Sequence, residues 1–260
     1  MINFLMYYAI PQYMSDSNLY KKYAKYYDKI YSEKDYESEA EFIKWAVQKH
    51  KTSTGNKLLD VACGTGNHMQ FLKDQFSIVG VDINPEMLKI AKKKVAKVKF
   101  IKGDMKNLML DKNNKFDVII CMFAAIAYNL NYKELKSTLK SFNTYLKPGG
   151  VLIFDLHIHE DYWLGDRVWV DTVVEKELKL ARISISPKRK NVLDLNLILF
   201  VNDKGKIDFD IDHHQLGLFN PGKIKKVMKD TGFDPRIYAG FTKKPWNNKM
   251  KSPVVFIGIK

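Results

Sequence analysis

The chain has 260 residues, 46% hydrophobic and 13% aromatic, enough to bury one large core or two modest ones. Disorder, collagen-like repeats and a disulfide scaffold are excluded, the last because the only cysteines, Cys63 and Cys121, lie in apolar runs that suit a reducing, cytoplasmic compartment. Lys plus Arg number 43 against 29 for Asp plus Glu, and the formal charge of +14 favours anionic partners or solubility without choosing between them.

The first ten residues, MINFLMYYAI, are apolar but lack a basic leader and a cleavage site, and no run reaches the roughly 18 apolar residues of a membrane span. No membrane partner is expected. Met14 opens a more ordinary start, so residues 1–13 read equally well as an upstream extension or a short docking arm. From Ser17 to His50 the steps between Tyr20, Tyr23, Ala24, Tyr27 and Tyr31, then Phe42, Trp45 and Ala46, are helical and predict two helices before the first strand. A short apolar run, Lys57 to Ala62, predicts a strand that passes through Gly64-Thr65-Gly66 into a helix. The alternation continues with strands at 76–82, 98–104, 116–122 and 150–156 and helices at Pro85 to Ala96 and Tyr132 to Leu146. Such alternation means an α/β fold, a parallel sheet with helices on both faces.

After Leu156 the rhythm becomes that of an antiparallel meander, with strands at 168–174, 178–186, 191–201 and 207–219 separated by turn residues. A helix at Pro221 to Asp230 and a strand at Val254 to Ile259 return to the α/β pattern. The expected organisation is an α/β domain of residues 1–156 and 220–260 with an N-terminal helical lid, carrying an antiparallel insert of residues 157–219. Six of the lysines crowd Lys92 to Lys102, but Leu88, Ala91 and Val95 keep helical spacing, so this stretch reads as a solvated outer face rather than a nucleic-acid footprint.

The chemistry-bearing segment is Asp60-Val61-Ala62-Cys63-Gly64-Thr65-Gly66-Asn67. Glycines there permit positive φ and close approach of a ligand to the main chain. The third glycine of the dinucleotide fingerprint is Met69, which closes the space a pyrophosphate would take, so the expected ligand is a nucleoside without one. Asp82, 16 residues beyond Gly66, is placed to accept from both ribose hydroxyls; Asp104 is placed to accept from an adenine amino group, with the Met105 backbone at the ring edge.

In order and spacing, LLDVACGTGNH, VDINPEML, GDM, FDVIICMF and LKPGGVLIFDL resemble the class I S-adenosylmethionine-dependent methyltransferases over residues 57–156. Over most of the chain YDKIY, KDY, DVACGTGNH, CMFAAIAY, SFNTYLKPGG and VFIGI look like the N,N-dimethyltransferases acting on TDP-linked amino sugars. The resemblance implies a Rossmann-like sheet and S-adenosyl-L-methionine as cofactor. It implies that Asp60, Ala62, Gly64 and Gly66 line the methionine and ribose, Asp82 with Ile83 the ribose, and Asp104 and Met105 the adenine. Met122 would lie under the sulfonium, and Tyr31 and Tyr36 near the amino-acid end.

The implied reaction is in-line displacement at the methyl by an amine, in which positioning supplies most of the rate. For the amine's proton the candidates are Tyr128, where the family carries His or Tyr, and His213 or His214 on the insert. His157, His159, His213 and His214 with Asp210 and Asp212 could be assembled into a metal site, but methyl transfer from a sulfonium needs none, so no metal is expected. Where the family has Gly-rich residues and an Arg, this chain has Lys243, Lys244, Lys249 and Lys251, which could meet a diphosphate as point charges. The expected partner is thus a small anionic nucleotide-linked amino sugar, with a homodimer left open. The alternatives are an RNA (tRNA) methyltransferase, or one acting on glycine-type amines or quinol precursors. Nucleic acid is disfavoured because no Asn-Pro-Pro-Tyr follows the fourth strand and no proline precedes Cys121.

Overall fold

The computed structural model describes residues 18–163, 165 and 168–260; the readings for residues 1–13 lie outside it. Five short apolar segments, β1 (Lys57–Val61), β2 (Ser77–Asp82), β3 (Lys99–Lys102), β4 (Phe116–Cys121) and β5 (Leu146–Leu156), pair in parallel in the order β3-β2-β1-β4-β5. The central two run apolar because both their faces are covered. Leu59, Ile119 and Phe154 join one core with the helical residues Leu135, Leu139, Phe142 and Ile224, while Leu58, Ile120 and Ile153 join another with Phe42, Ile43 and Met69. The final strand, β12 (Val254–Ile259), adds antiparallel to β5.

One strand of this sheet escaped the sequence reading: β11 (Asp234–Ala239) closes the edge of the seven-stranded sheet. Its Pro235 argues against a strand in general, yet an edge position tolerates proline because half the ladder there is unpaired.

Four of the helices are capped by asparagine or aspartate. Asn84 accepts from the Glu86 N–H, Asn131 from Glu134, Asn220 from Lys223, and Asp35 from Ser38. Among the described residues no helix is long and apolar enough to cross a membrane.

Only the second of the two helices expected before β1 is continuous, at Tyr36–His50. The first is broken into two 3-10 turns, Asn18–Tyr20 and Ala24–Tyr26, and a single helical turn, α1 (Tyr27–Ile30). Tyrosine-rich sequence is a weak helix former, and here tertiary bonds capture the backbone instead. The Leu19 N–H donates to Asp212, the Asn18 amide to Asp210 and the Tyr26 hydroxyl to Asp203, while Lys22, Lys25 and Lys29 pair with Asp208, Asp203 and Glu175.

Those partners belong to a second, antiparallel sheet of β6 (Val168–Val174), β7 (Leu178–Ile185), β9 (Val192–Asp203) and β10 (Lys206–Gly217), ordered β10-β9-β7-β6, with the short β8 (Lys188–Arg189) paired to β9. Its inner face packs Leu178, Leu180, Leu197 and Leu199 on Leu19, Tyr23, Tyr27 and Ile30 of the lid, and Met87 closes this core from the first sheet's side. The lid is therefore clasped between the two sheets.

Candidate functional site

The order in which strands are added reverses between β1 and β4, which run parallel, so the crevice at their carboxyl ends is the topological switch point where α/β sheets bind ligands. The β1 loop turns sharply there: Ala62, Gly64 and Gly66 have φ of 56°, 54° and 78°. Asp82, 8% exposed at the end of β2, grips this loop by accepting from the Gly64 N–H at 2.8 Å and anchors its own turn by accepting from the Asn84 N–H at 2.8 Å. Burial raises its pKa, and the N–H donors pull it back. Asp60 lies deeper, and burial, then the nearby Asp82 charge, push its carboxyl well up.

One cleft runs from Gly64 and Asp82 past Ile83 and Asn84 to Asp104 and Met105, with Met122 on its floor. Asp104 orders its turn by accepting from the Lys106 N–H. Met69 is fully buried, and a Cβ on Gly80 of β2 would stand 2.6 Å from its terminal methyl. The close helix-to-strand approach that a third loop glycine normally permits is supplied instead by Gly80. Two carboxylates flanking a tight loop fit an adenosyl ligand.

A second cleft continues beyond Ala62 to Tyr36, Asp60, Thr65, Asn67 and His68. Burial pushes the Tyr36 hydroxyl up to about 12 although Asn67 lies beside it, and His68 stands 2.7 Å from the buried Glu39. The lid reaches this loop directly: Asp28 of α1 accepts from the Thr65 hydroxyl and the Asn67 amide and pairs with Lys94 at 2.6 Å. Lys94 is thus drawn out of the lysine-rich stretch, whose Lys92, Lys93, Lys97, Lys99 and Lys102 are exposed as expected.

The third cleft lies between the inner face of the second sheet and the carboxyl ends of β4 and β5, bordered by Tyr20, Tyr31, Phe123, Tyr128, His157 and Arg182 among others. Phe123 borders all three clefts and so marks their junction. Arg182 donates from Nε and Nη2 to Asp171 and from Nη1 to the Tyr31 hydroxyl. A buried chain runs from Tyr20 to Tyr128 (2.7 Å between hydroxyls), to His214 Nδ1 (2.9 Å), and on to Asp212 (3.2 Å).

Asp60, Ala62, Gly64, Asp82, Ile83, Asp104, Met105 and Met122 converge on the first two clefts, and Tyr36 joins them. Tyr31 does not: Arg182 holds it in the third cleft instead of the amino-acid end. His213 is exposed on the outer face of β10, because successive strand residues point to opposite sides and its neighbour His214 faces inward. His214 meets two residues that border the cleft, bonding the Tyr128 hydroxyl and packing against the Tyr20 ring. His157 and His159 part company past the end of β5: His157 borders the third cleft, while His159 is buried against the Ser252 carbonyl. Lys243 lies over the Trp45 ring and Lys251 donates to the Asp161 carbonyl; none of the four C-terminal lysines borders the third cleft among the described residues.

The sequence reading missed Tyr27, Asn84, Phe123, His157 and Arg182. Asn84, Phe123 and His157 follow strand ends within two residues, a positional signal, and Arg182 breaks the inward apolar set Leu178, Leu180 on an alternating strand.

Residues 58–150 match a family model described as a methyltransferase domain. The dTDP-3-amino-3,4,6-trideoxy-alpha-D-glucopyranose N,N-dimethyltransferase of Streptomyces venezuelae is 30% identical to the chain, over 81% of the chain and 89% of the relative. The crystal structure of Streptomyces venezuelae DesVI superposes with a TM-score of 0.79 at 27% identity, covering 91% of this chain and 98% of that one. The sugar N-methyltransferase KedS8 from Streptoalloteichus sp. also superposes at 0.79, with 25% identity and 90% and 92% coverage.

Proposed function

Because the chain belongs to the class I S-adenosylmethionine-dependent methyltransferases, we propose that it transfers a methyl group to the amine of a small nucleotide-linked amino sugar. The observation that carries this reading is the reach of the likeness: it extends beyond the cofactor sheet through residues 157–219, which we take as the acceptor-side insert. The third cleft holds a cavity of about 400 Å³, within the range of small-molecule sites.

S-adenosylmethionine, when bound, supplies a methyl group on a sulfonium that is already a good leaving group. The chain's task is then to hold and orient. Asp82 would take the ribose hydroxyls on the lone pairs that Gly64 and Asn84 leave free, Asp104 and Met105 would face the adenine, and Asp60 and Tyr36 would serve the amino-acid end. With Asp28 pinning the lid to the loop, water is kept from the junction at Phe123.

In the acceptor cleft the Tyr20 and Tyr128 hydroxyls keep their protons, because burial raises both pKa values, with Tyr31 repelling charge on Tyr20 and Tyr20 repelling charge on Tyr128. They are suited to accept a hydrogen bond from the amine, and His214 with Asp212 fixes the angle of Tyr128. Tyr128 and His214 are thus read as positioning residues.

The outer face of the second sheet is read as the seat of a second copy. Ile211, Ile198, Ile183 and Val170 run straight across its four strands, flanked by the exposed Phe209 and Phe200. At strand spacing this is on the order of 400 to 500 Å² of apolar surface, and two such faces approach the roughly 1,000 Å² of a specific interface.

The test offers purified protein and labelled S-adenosylmethionine to the dTDP-3-amino sugar of the Streptomyces relative, to glycine and to total tRNA in parallel. Incorporation into the sugar is expected, with mass spectrometry separating one methyl from two. Incorporation confined to glycine or tRNA overturns the acceptor assignment.

A further inference from the structure

One imidazole borders the acceptor cleft among the described residues, that of His157, one residue beyond the carboxyl end of β5. Its Nε2 stands 2.9 Å from Asp155 Oδ2, and Asp155 is itself 1% exposed. The same carboxylate accepts from the Ala124 N–H with both oxygens at 3.1 Å, and so also ties down the left-handed turn at Phe123 and Ala124, where φ is 59° and 54°. The His157 ring packs 5.4 Å from the Phe123 ring, centroid to centroid, and Phe123 is the residue common to all three clefts. The imidazole therefore sits one ring away from the junction, with 36% of its side chain open.

We propose that His157, oriented by Asp155, is the catalytic residue that takes the proton from the acceptor amine. The proposal rests on the amine-methylation reading and gives His157 the role that the sequence reading offered to Tyr128, His213 or His214. An Nε2–H donated to Asp155 leaves Nδ1 as the basic nitrogen. The arriving ammonium gives one proton to Nδ1, and the N–H bonding pair stays on the amine as its lone pair. That pair forms the new N–C bond to the methyl while the C–S bonding pair remains on sulfur. The proton leaves the imidazolium through its solvent-facing part, and Asp155 balances the charge in the interval.

The other titratable groups facing this space are poor competitors. Tyr20, Tyr31 and Tyr128 have pKa values raised by burial, Asp171 is matched by Arg182, and His214 lies beneath Tyr128. Asp155 is a positioning residue: it fixes which nitrogen is bare.

Two measurements on the full chain decide the matter. With the dTDP-3-amino sugar as acceptor, His157→Gln should lower kcat about 10- to 100-fold at pH 7, with the S-adenosylhomocysteine Kd within about twofold of wild type. The deficit should shrink as pH rises, because the amine then loses its proton unaided. Independently of any acceptor, long-range proton–nitrogen NMR of the imidazole should show the neutral ring protonated on Nε2, and Asp155→Asn should erode that preference and lower kcat more than it changes KM. Wild-type kcat and pH profile in His157→Gln, or a neutral wild-type ring carrying its proton on Nδ1, overturns the proposal. If wild type fails to methylate the sugar, the acceptor reading falls instead, and the NMR result still decides the His157–Asp155 assignment.

Discussion

Replacing Asp82 with alanine tests the cofactor site most directly, because this one carboxylate has two duties. Of its roughly four acceptor positions, the Gly64 and Asn84 N–H groups take two, leaving about two for the ribose hydroxyls. A hydrogen bond to a charged group contributes about 1.5–3 kcal/mol, and water refills part of the vacated space, so the loss in binding should be about 1.5–3 kcal/mol, or roughly 10- to 150-fold in Kd. The two stranded backbone donors add a stability cost of about 1–3 kcal/mol each where water cannot reach them. Asp82→Asn should do little better, because its amide must point a donor at one of the two N–H groups. Titration calorimetry with S-adenosylhomocysteine measures the first quantity and urea unfolding without ligand the second. A Kd for Asp82→Ala within twofold of wild type would refute the assignment of the ribose to this carboxylate.

The raised pKa of Asp82 has a sign that can be checked. The charged form accepts from Gly64 and Asn84 and, on the proposed reading, would accept from the ribose, so affinity for S-adenosylhomocysteine should fall as pH is lowered, beginning above the ordinary aspartate value of 3.8, and the fall should vanish in Asp82→Ala. A matching stability trend runs the other way: burial disfavours the charged folded form, so protonation in that window relieves a cost in the ligand-free protein. Gly66→Ala forces a side chain into φ 78° with its Cβ 3.3 Å from Val95 Cγ2, and should cost about 1–2 kcal/mol by urea unfolding. Phe209→Asp, at an outer-face residue 70% exposed, should convert a dimer to monomer in sedimentation velocity while leaving S-adenosylhomocysteine binding intact; a dimer that survives it is held by another surface.

The cofactor half of this protein was legible in the sequence because its determinants are local. A buried strand, two glycines in a turn and a carboxylate at the next strand end lie within about 25 residues, so Asp60, Gly64 and Asp82 needed only chain order to be placed together, while Gly66 turns the loop without lining either cleft. The strands of the second sheet were legible for the same reason, since alternation along β7, β9 and β10 has a period of two whatever they pack on. The lid was not, because tyrosines at helical spacing describe a face without saying whether hydrogen bonds from a distant sheet will compete for the backbone, as Asp212 does at the Leu19 N–H. The third cleft was decided by tertiary structure alone. Tyr20, Tyr128, His157, Arg182 and His214 come from five separate elements, and only packing of the second sheet over the strand ends brings them together. Strand pleat, a property of how β10 pairs with β9, turns His214 inward and His213 out.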